Sequence, residues 1–208
     1  MSTSNTRYGM LLDLSLCIGC NACVVACKQE NAVPLTKFNT WIESWDVTSD
    51  EGTRRANQPK LCNHCADAPC VKVCPTGASY RTEEGVVLVD PERCIGCKYC
   101  LAACPYQARW VDDSSGEVGK CTLCYHRTSH GLLPACVSTC VTRARYFGDL
   151  NDPESDIAKK IAEVGDEALY ADLGLDPSVR YVGLSRVEGM PVVSAVHRGG
   201  NVFKPFEG

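Results

Sequence analysis

The cysteines constrain this sequence more than any other feature, because they occur sixteen times in 208 residues and fall into four groups of four. The first and third groups share the pattern CIGCxxCxxAC, whereas the second and fourth have a longer insertion after their first CxxC. In chain order the groups are Cys17, Cys20, Cys23, Cys27; Cys62, Cys65, Cys70, Cys74; Cys94, Cys97, Cys100, Cys104; and Cys121, Cys124, Cys136, Cys140. Such density indicates either metal centres or a disulfide framework.

The spacing within the groups favours iron–sulfur clusters. Three cysteines at CxxCxxC spacing and a fourth after three more residues form the run of bacterial ferredoxins, in which three thiolates hold one cluster and the fourth reaches another. Gly19 and Gly96 suit the tight loop of this run because glycine tolerates a positive φ. Proline follows Cys74 and Cys104, as in the bacterial run. Four runs predict four 4Fe-4S clusters.

Two other interpretations account for cysteine-rich chains. Zinc ribbons pair two CxxC units over a longer gap, whereas the first group here places four cysteines within residues 17–27. A disulfide framework is typical of small secreted chains, and bridges within CxxCxxC are geometrically awkward. Both patterns fit this sequence less well than iron–sulfur binding does.

Charge and hydropathy exclude two classes of direct partner. The formal net charge is -4, with no basic excess that would indicate nucleic-acid binding. The apolar stretch near the start is interrupted at Asp13, too early for a secretory signal. The apolar runs are far shorter than the roughly 18 residues of a membrane helix. We therefore expect no direct membrane span, and membrane contact only through a partner.

Internal similarity between the cysteine groups predicts a duplicated two-cluster ferredoxin. The short segment between the second and third groups reads as a hairpin, whereas residues 28–61 form a much longer connection between the first and second. We therefore predict an α+β fold with one ferredoxin-like domain inserted in the other. The expected divisions are an outer domain (1–57 and 118–150), an inserted domain (58–117) and a C-terminal extension for covering or docking (151–208).

Local patterns predict several elements around the clusters. Residues 7–15 alternate as a strand that can pair with residues 144–150, and residues 78–90 and 108–121 read as hairpins. In the extension, Asp152 is the expected N-cap of a helix with Pro153 at its first position. Ile157, Ile161 and Val164 would form the apolar stripe of that helix.

The segments CNHCADAPCVKVCPTGA, CIGCKYCLAACPY and RYFGDLNDPES, in this order of motifs, carry a resemblance to a known family. Residues 7–157 resemble the four-cluster iron–sulfur beta subunit of molybdopterin oxidoreductases in the dimethyl sulfoxide reductase superfamily. Within it, the sequence is most similar to the polysulfide, thiosulfate and respiratory arsenate reductase subunits. One departure is Val141, which follows Cys140 where the family usually has proline.

The resemblance implies a ligand set for each cluster, with the fourth cysteine of each run exchanged between neighbours. The sets are quartet 1 (Cys17, Cys20, Cys23, Cys140), quartet 2 (Cys27, Cys121, Cys124, Cys136), quartet 3 (Cys62, Cys65, Cys70, Cys104) and quartet 4 (Cys74, Cys94, Cys97, Cys100). Because the third group keeps Cys97, the resemblance implies four 4Fe-4S clusters and no 3Fe-4S centre.

The resemblance further implies a non-catalytic electron-transfer subunit in anaerobic respiration. Its partners would be a molybdopterin-containing catalytic subunit near quartet 1 and a quinone-binding membrane anchor near quartet 4. The complex would lie at the membrane, on the periplasmic face after co-export with the catalytic subunit or on the cytoplasmic face. The alternative is a free-standing polyferredoxin, or the electron-transfer subunit of a hydrogenase or formate dehydrogenase.

Four cations lie beside cysteines in the sequence and could raise cluster potentials by stabilising the reduced form. They are Lys28, Arg93, Lys98 and Lys120. An ordinary solvated surface position is an equally good interpretation for each. His64, inside CNHC, is expected to form hydrogen bonds or to lie at the surface rather than bind iron, because its group already has four cysteines.

Overall fold

A computed structural model describes residues 5–50, 52–187 and 192–198. The strands in these ranges are β1 (Tyr8–Asp13), β2 (Thr40–Ser49), β3 (Gly52–Leu61), β4 (Ser79–Arg81), β5 (Val87–Val89), β6 (Arg109–Val111), β7 (Val118–Lys120), β8 (Arg145–Asp149), β9 (Val179–Val182) and β10 (Val192–Arg198). The α-helices are α1 (Ala22–Glu30), α2 (Pro69–Lys72), α3 (Tyr99–Ala102), α4 (Tyr125–Thr128), α5 (Ala135–Ser138) and α6 (Asp156–Val164). No helix among the described residues is long and apolar enough to cross a membrane.

Strand β1 is the centre of a three-stranded sheet, with β8 antiparallel on one side and β9 parallel on the other. The predicted pairing of residues 7–15 with 144–150 is therefore confirmed. Met10 and Leu12 face the main core as the alternation predicts, and Leu11 on the opposite face is also fully buried. Helix α6 packs on β1 and β8 and covers that second face.

Both predicted hairpins between the cysteine groups are confirmed. Strands β4 and β5 pair antiparallel, as do β6 and β7. Gly85 and Gly116 in their turns have φ values of 83° and 77°, a backbone conformation that glycine adopts without strain. Each hairpin begins within five residues of a cysteine, so its first strand has a fixed position beside a cysteine group.

A long hairpin that the cysteine pattern does not predict lies between the first two groups. Strands β2 and β3 pair along their whole length, from Thr40 opposite Leu61 to Ser49 opposite Gly52. Strand β10 extends this sheet by pairing antiparallel with β2. Trp41, Ile42 and Leu61 at the inner end of the hairpin are buried in the main core.

The helix of the C-terminal extension begins later than predicted. Its N-cap is Ser155, whose hydroxyl accepts a hydrogen bond from the Ala158 N–H, so the expectation of an N-cap at Asp152 is wrong. Asp152 instead accepts from the Glu154 N–H within a turn. Both residue types are good caps, and Ser155 is preferred because a start there places Ile157 at the face packed on β8.

The rest of the described extension covers the second cysteine group. Tyr181 in β9 is fully buried and donates its hydroxyl hydrogen to the carbonyl of Pro59. The backbone N–H groups of Ala66 and Asp67 donate to carbonyls in residues 175–176, and the Ser178 N–H donates to the carbonyl of Asn63. These bonds hold the extension directly against residues 63–67. The Gly- and Pro-containing end expected after residue 187 lies largely outside the described residues.

We expect the buried stripe of α6 to determine the stability of the extension. Ile157→Ala should lower the free energy of unfolding by about 2–5 kcal/mol, because Ile157 is fully buried and its truncation leaves a cavity. Val164→Ala on the same helix is the matched control and should cost under about 1 kcal/mol, since Val164 is 38% exposed. Urea unfolding followed by circular dichroism measures both, and equal effects would contradict the packing described.

Candidate metal centres

The first CxxC of each cysteine group adopts the same loop. The residue before the second cysteine has a positive φ in all four: Gly19 at 70°, His64 at 44°, Gly96 at 66° and Leu123 at 51°. The prediction for the two glycines is confirmed, and His64 and Leu123 adopt the same conformation at a steric cost of roughly 1–2 kcal/mol. A left-handed residue at this place turns the chain so that both cysteine side chains point to the same side.

Three of the four quartets surround distinct internal cavities. The four cysteines of quartet 2 lie around one cavity, those of quartet 3 around a second and those of quartet 4 around a third. In each case the set combines cysteines from two different groups of the sequence. Apolar residues also line these cavities, including Met10 and Leu61 at quartet 2 and Val87 at quartet 3.

Quartet 1 is assembled from the two ends of the cysteine-rich region. Burial raises the pKa of Cys17, a hydrogen bond from the Gly19 N–H lowers it, and the nearby thiolates of Cys23 and Cys140 raise it again. Cys23 and Cys140 are thus close to Cys17 although they come from the first and fourth groups. Cys20 belongs to the same loop and is exposed.

Repulsion between thiolates is strong within the buried quartets. Burial, followed by the charges of Cys136 and Cys124, raises the pKa of Cys27 to about 12. Burial, followed by the charges of Cys62 and Cys70, raises the pKa of Cys65 to about 12. The thiols of Cys27 and Cys65 therefore resist ionisation beside neighbouring thiolates, and a cationic group among them would favour their thiolate forms.

All sixteen cysteines are free, which excludes the disulfide framework for this structure. Their exposure differs systematically between quartets. The four cysteines of quartet 2 are all buried, and three of quartet 3 are buried. Quartets 1 and 4 each have one exposed cysteine, Cys20 and Cys97. Quartets 2 and 3 are therefore shielded from solvent, and quartets 1 and 4 each reach the surface at one cysteine.

Backbone N–H groups donate to several of the sulfur atoms. The Ser79 N–H lies 3.3 Å from Sγ of Cys74, and the Ala144 N–H lies 3.3 Å from Sγ of Cys140. The donor is the fifth residue after Cys74 and the fourth residue after Cys140, so the sulfur of Cys140 also accepts a backbone hydrogen bond although Val141 replaces proline. Donors to sulfur stabilise negative charge there and raise the potential of a bound cluster.

The structure distinguishes the four cations that the sequence places beside cysteines. Only Lys120 is buried; its Nζ donates to the carbonyls of Val87 and Cys121. Lys28 donates to backbone carbonyls in residues 34–37, and Arg93 donates to the carbonyl of Thr76. Lys98 is exposed.

Two further cations are buried that the sequence did not predict. Arg109 and Arg145 are each 4% exposed, and Nη2 of Arg145 lies 3.3 Å from Sγ of Cys23. Adjacency to a cysteine does not identify these two arginines, because each lies five residues after the last cysteine of a group. The signal that finds them is the repeat Cys-x-x-x-Ala-Arg, which occurs as CPYQAR and CVTRAR.

These surroundings fit an anionic cluster in each quartet. The donors are thiols alone, the preferred ligands of iron–sulfur clusters. Nε and Nη1 of Arg109 are buried and have no hydrogen-bond partner among the described residues, although the side chain lines the cavities of quartets 3 and 4. A bound anion would satisfy this guanidinium. Held by such thiolates, 4Fe-4S clusters supply one-electron chemistry.

His64 is fully buried beside quartet 3, and its Nδ1 accepts a hydrogen bond of 3.0 Å from the Val87 N–H. In the neutral ring the proton is then on Nε2. Burial lowers the pKa of His64, the thiolate of Cys62 raises it, and Lys120 lowers it. The predicted hydrogen-bonding function is confirmed in the bond to Val87.

Substitution of His64 tests the bond to Val87. His64→Leu should lower the free energy of unfolding by about 1–3 kcal/mol, because the buried Val87 N–H loses its acceptor. His64→Asn is the matched control: its side-chain oxygen can replace Nδ1, and asparagine tolerates the positive φ at this position. Urea unfolding of the two variants measures the difference, and equal losses would contradict a stabilising acceptor.

Comparison with known proteins agrees with this geometry. A 4Fe-4S dicluster domain matches residues 54–150, and a second model of the same description matches residues 16–78. The B subunit of tetrathionate reductase from Salmonella typhimurium is 45% identical over 86% of this chain and 73% of its own length. The corresponding component of polysulfide reductase from Wolinella succinogenes is 43% identical over 83% of this chain and 92% of its own. This protein belongs to the family of iron–sulfur beta subunits of molybdopterin oxidoreductases.

Another relative of this beta subunit is named for a different reaction. The B subunit of sulfite dehydrogenase from Allochromatium vinosum is 40% identical over 85% of this chain and 83% of its own length. The dicluster description identifies the centres as 4Fe-4S clusters, so it decides between iron–sulfur and zinc binding. Two ferredoxin-like dicluster domains with sixteen cysteines match four 4Fe-4S clusters, and the protein is an electron-transfer subunit.

Proposed function

We propose that this subunit relays electrons through four 4Fe-4S clusters between a quinone-reactive membrane subunit and a molybdopterin catalytic subunit. The observation that carries the proposal is the exposure of the quartets. Quartets 2 and 3 are buried, while quartets 1 and 4 reach the surface at Cys20 and Cys97. Buried centres between two exposed ones suit a chain with an entrance and an exit, one for each partner.

Apolar side chains beside both exposed cysteines support docking at these ends. Ile18 is 63% exposed next to quartet 1, and Ile95 is 67% exposed next to quartet 4. Each occupies the second position of a CIGC loop. Val25 and Val141 near cysteines of quartet 1 and Tyr99 beside a cysteine of quartet 4 are exposed as well, and patches of exposed apolar side chains are typical of protein interfaces. We assign the end at quartet 1 to the catalytic subunit and the end at quartet 4 to the membrane subunit, as the family resemblance implies.

The relatives indicate the class of reaction. Their names include tetrathionate reductase, polysulfide reductase and sulfite dehydrogenase, so we propose a partner that acts on a sulfur compound in respiration. Membrane association would come through the anchor subunit. The periplasmic face is our preferred location, by co-export with the catalytic subunit, and the cytoplasmic face is the alternative.

The proposal includes the ligand sets and the nested domains. The four quartets would each bind one cluster, with Cys74 and Cys104 exchanged between quartets 3 and 4 and Cys27 and Cys140 exchanged between quartets 1 and 2. The inserted domain (58–117) would then hold quartets 3 and 4. The outer domain (1–57 and 118–150) would hold quartets 1 and 2, with the extension (151–208) over both. The shared cavities described above support this assignment.

Iron stoichiometry in double variants tests the exchanged ligands. Cys62→Ser combined with Cys104→Ser should lose no more than about four iron atoms, since both residues would serve one cluster. Cys94→Ser combined with Cys104→Ser should lose about twice as much, although these two cysteines belong to the same sequence group. Iron analysis and electron paramagnetic resonance (EPR) of anaerobic protein measure the difference, and the reverse order would refute the assignment.

Introducing a negative charge beside quartet 4 or quartet 1 tests whether these are the two docking sites of the relay. In the intact complex, Ile95→Glu should slow electron exchange with the quinone about tenfold or more, because it places an unpaired charge in that interface, and should leave exchange with the substrate unchanged. Ile18→Glu should do the opposite. Rapid mixing with quinol or with substrate, followed by EPR of the clusters, measures each exchange.

The matched control for these variants is Leu35→Glu, because Leu35 is 89% exposed and lies outside the loops of quartets 1 and 4. It should leave both exchange rates unchanged. If Ile18→Glu and Ile95→Glu behave like this control, the two ends are not the docking sites and the relay as proposed is wrong.

A further inference from the structure

Three cations are buried among the quartets without a carboxylate to neutralise them. Arg109, Lys120 and Arg145 are each 4% exposed, and none forms an ion pair with a carboxylate in the part of the chain that the structure describes. A buried and unpaired cation costs several kcal/mol. Their placement therefore requires anions nearby, and the quartets are the anionic groups within reach.

Arg109 lies at the boundary between quartets 3 and 4. Its side chain lines the cavities of both. Its Nη2 donates to Oγ of Ser79 at 2.8 Å, and Ser79 belongs to the wall of the quartet 4 cavity. The charges of Cys70 and Cys62 in quartet 3 and of Cys100 in quartet 4 all act on Arg109. One guanidinium is thus shared by two quartets.

Arg145 has the same relation to quartets 1 and 2. Its Nη2 lies 3.3 Å from Sγ of Cys23 in quartet 1 and 3.0 Å from Oγ1 of Thr40. Its Nη1 contacts Sδ of Met10 at 3.8 Å. Thr40 and Met10 both line the cavity of quartet 2. Arg145 therefore touches one quartet directly and the wall of the next.

The two arginines are equivalent in the duplicated sequence. Arg109 follows Cys104 by five residues and Arg145 follows Cys140 by five, and each begins a strand. Each also donates to a hydroxyl group at the start of a strand that follows the other cysteine group of its two-cluster unit. Arg109 donates to Ser79 of β4, and Arg145 donates to Thr40 of β2. The duplication thus repeats a cation between the two clusters of each unit.

Lys120 occupies the remaining boundary, between quartets 2 and 3. It precedes Cys121 of quartet 2, and its Nζ donates to the Cys121 carbonyl at 2.6 Å. The same Nζ donates to the carbonyl of Val87, a residue in the wall of the quartet 3 cavity. The three cations therefore stand one at each junction of the series from quartet 1 to quartet 4.

We infer that Arg145, Lys120 and Arg109 are junction cations, each of which raises the reduction potentials of the two clusters that flank it. The inference rests on the ligand sets proposed above. Each oxidised cluster with its thiolates carries a charge of about −2, and one electron makes it about −3. The cation at a junction lies near both flanking clusters, so it stabilises the electron whether the electron is on one cluster or on the next. A shared cation therefore raises both potentials and changes their difference little.

Methionine variants of the junction cations test the inference, with wild-type complex and EPR-monitored redox titration as the reference. At a fixed ambient potential, Arg109→Met should lower the ratio of reduced to oxidised cluster roughly tenfold at quartets 3 and 4, about 59 mV for a one-electron couple. The same change is expected at quartets 2 and 3 for Lys120→Met, and at quartets 1 and 2 for Arg145→Met. The cysteine variants described above assign the signals of quartets 3 and 4, and Cys17→Ser and Cys121→Ser assign those of quartets 1 and 2.

Two controls separate charge from structure. Arg109→Lys and Arg145→Lys keep the charge and should restore most of the shift. Lys98→Met removes an exposed cation beside Cys97, where solvent screens the charge, and should change the quartet 4 ratio less than about twofold. If a methionine variant assembles fewer clusters, iron analysis should show that one or both flanking clusters are missing.

Four titrating centres in the wild type with no paired shift in the variants would overturn the junction cations and leave the relay intact. A shift confined to one flanking cluster, equal shifts at all four, or loss of a cluster that does not flank the substituted cation would also overturn them. Fewer than four centres in the wild type would instead refute the ligand sets on which the inference rests.

Discussion

Repulsion among four closely spaced anions is the constraint that this fold has to meet. Four clusters at about −2 each would add roughly −8 to a chain whose formal charge is already -4. Part of that negative charge is offset by neutral groups, the backbone N–H groups that donate to sulfur. Each CxxC loop also has the same left-handed residue. The three buried cations offset a further part with positive charge. The two arginines follow the duplication of the two-cluster unit, and Lys120 lies between the two units.

The same constraint explains how a chain with short elements maintains a core. Nine cysteines are buried and count among its interior residues, while four of the six described α-helices have only four residues. Such helices cannot supply much packing surface. The apolar side chains of β1, the inner end of the β2–β3 hairpin and the extension instead enclose the quartets from outside, so burial of hydrophobic area and exclusion of water from the clusters are achieved together.

The sequence predicted those parts of the fold that a single local pattern determines. The two short hairpins and the pairing of β1 with β8 follow from alternation and turn residues. The β2–β3 hairpin was missed because charged and polar residues such as Arg54, Arg55 and Gln58 interrupt its apolar pattern. The start of α6 was misplaced because two good capping residues compete within four positions, and packing of Ile157 decides between them.

The buried arginines show a different limit. Arginine is an exposed residue in most proteins, so nothing in the composition of the chain predicts that two of them are buried. Adjacency to cysteine indicated Lys28, Arg93, Lys98 and Lys120 instead, of which only Lys120 is buried. Their burial depends on anions that come with the cofactor rather than with the amino-acid sequence. Only comparison of the repeated loops with one another, Cys-x-x-x-Ala-Arg in each, could have revealed them.

The position of β1 has a consequence for biosynthesis. It precedes all other described strands in the chain, yet its partners β8 and β9 are residues 145–149 and 179–182. Pairs so distant in sequence close late, since their loop entropy is lost only when the intervening chain has been made and ordered. Cys27 of the fully buried quartet 2 therefore stays accessible until most of the polypeptide exists. This leaves a long interval in which iron and sulfide can be delivered before β1, whose Met10 lines that cavity, encloses the quartet.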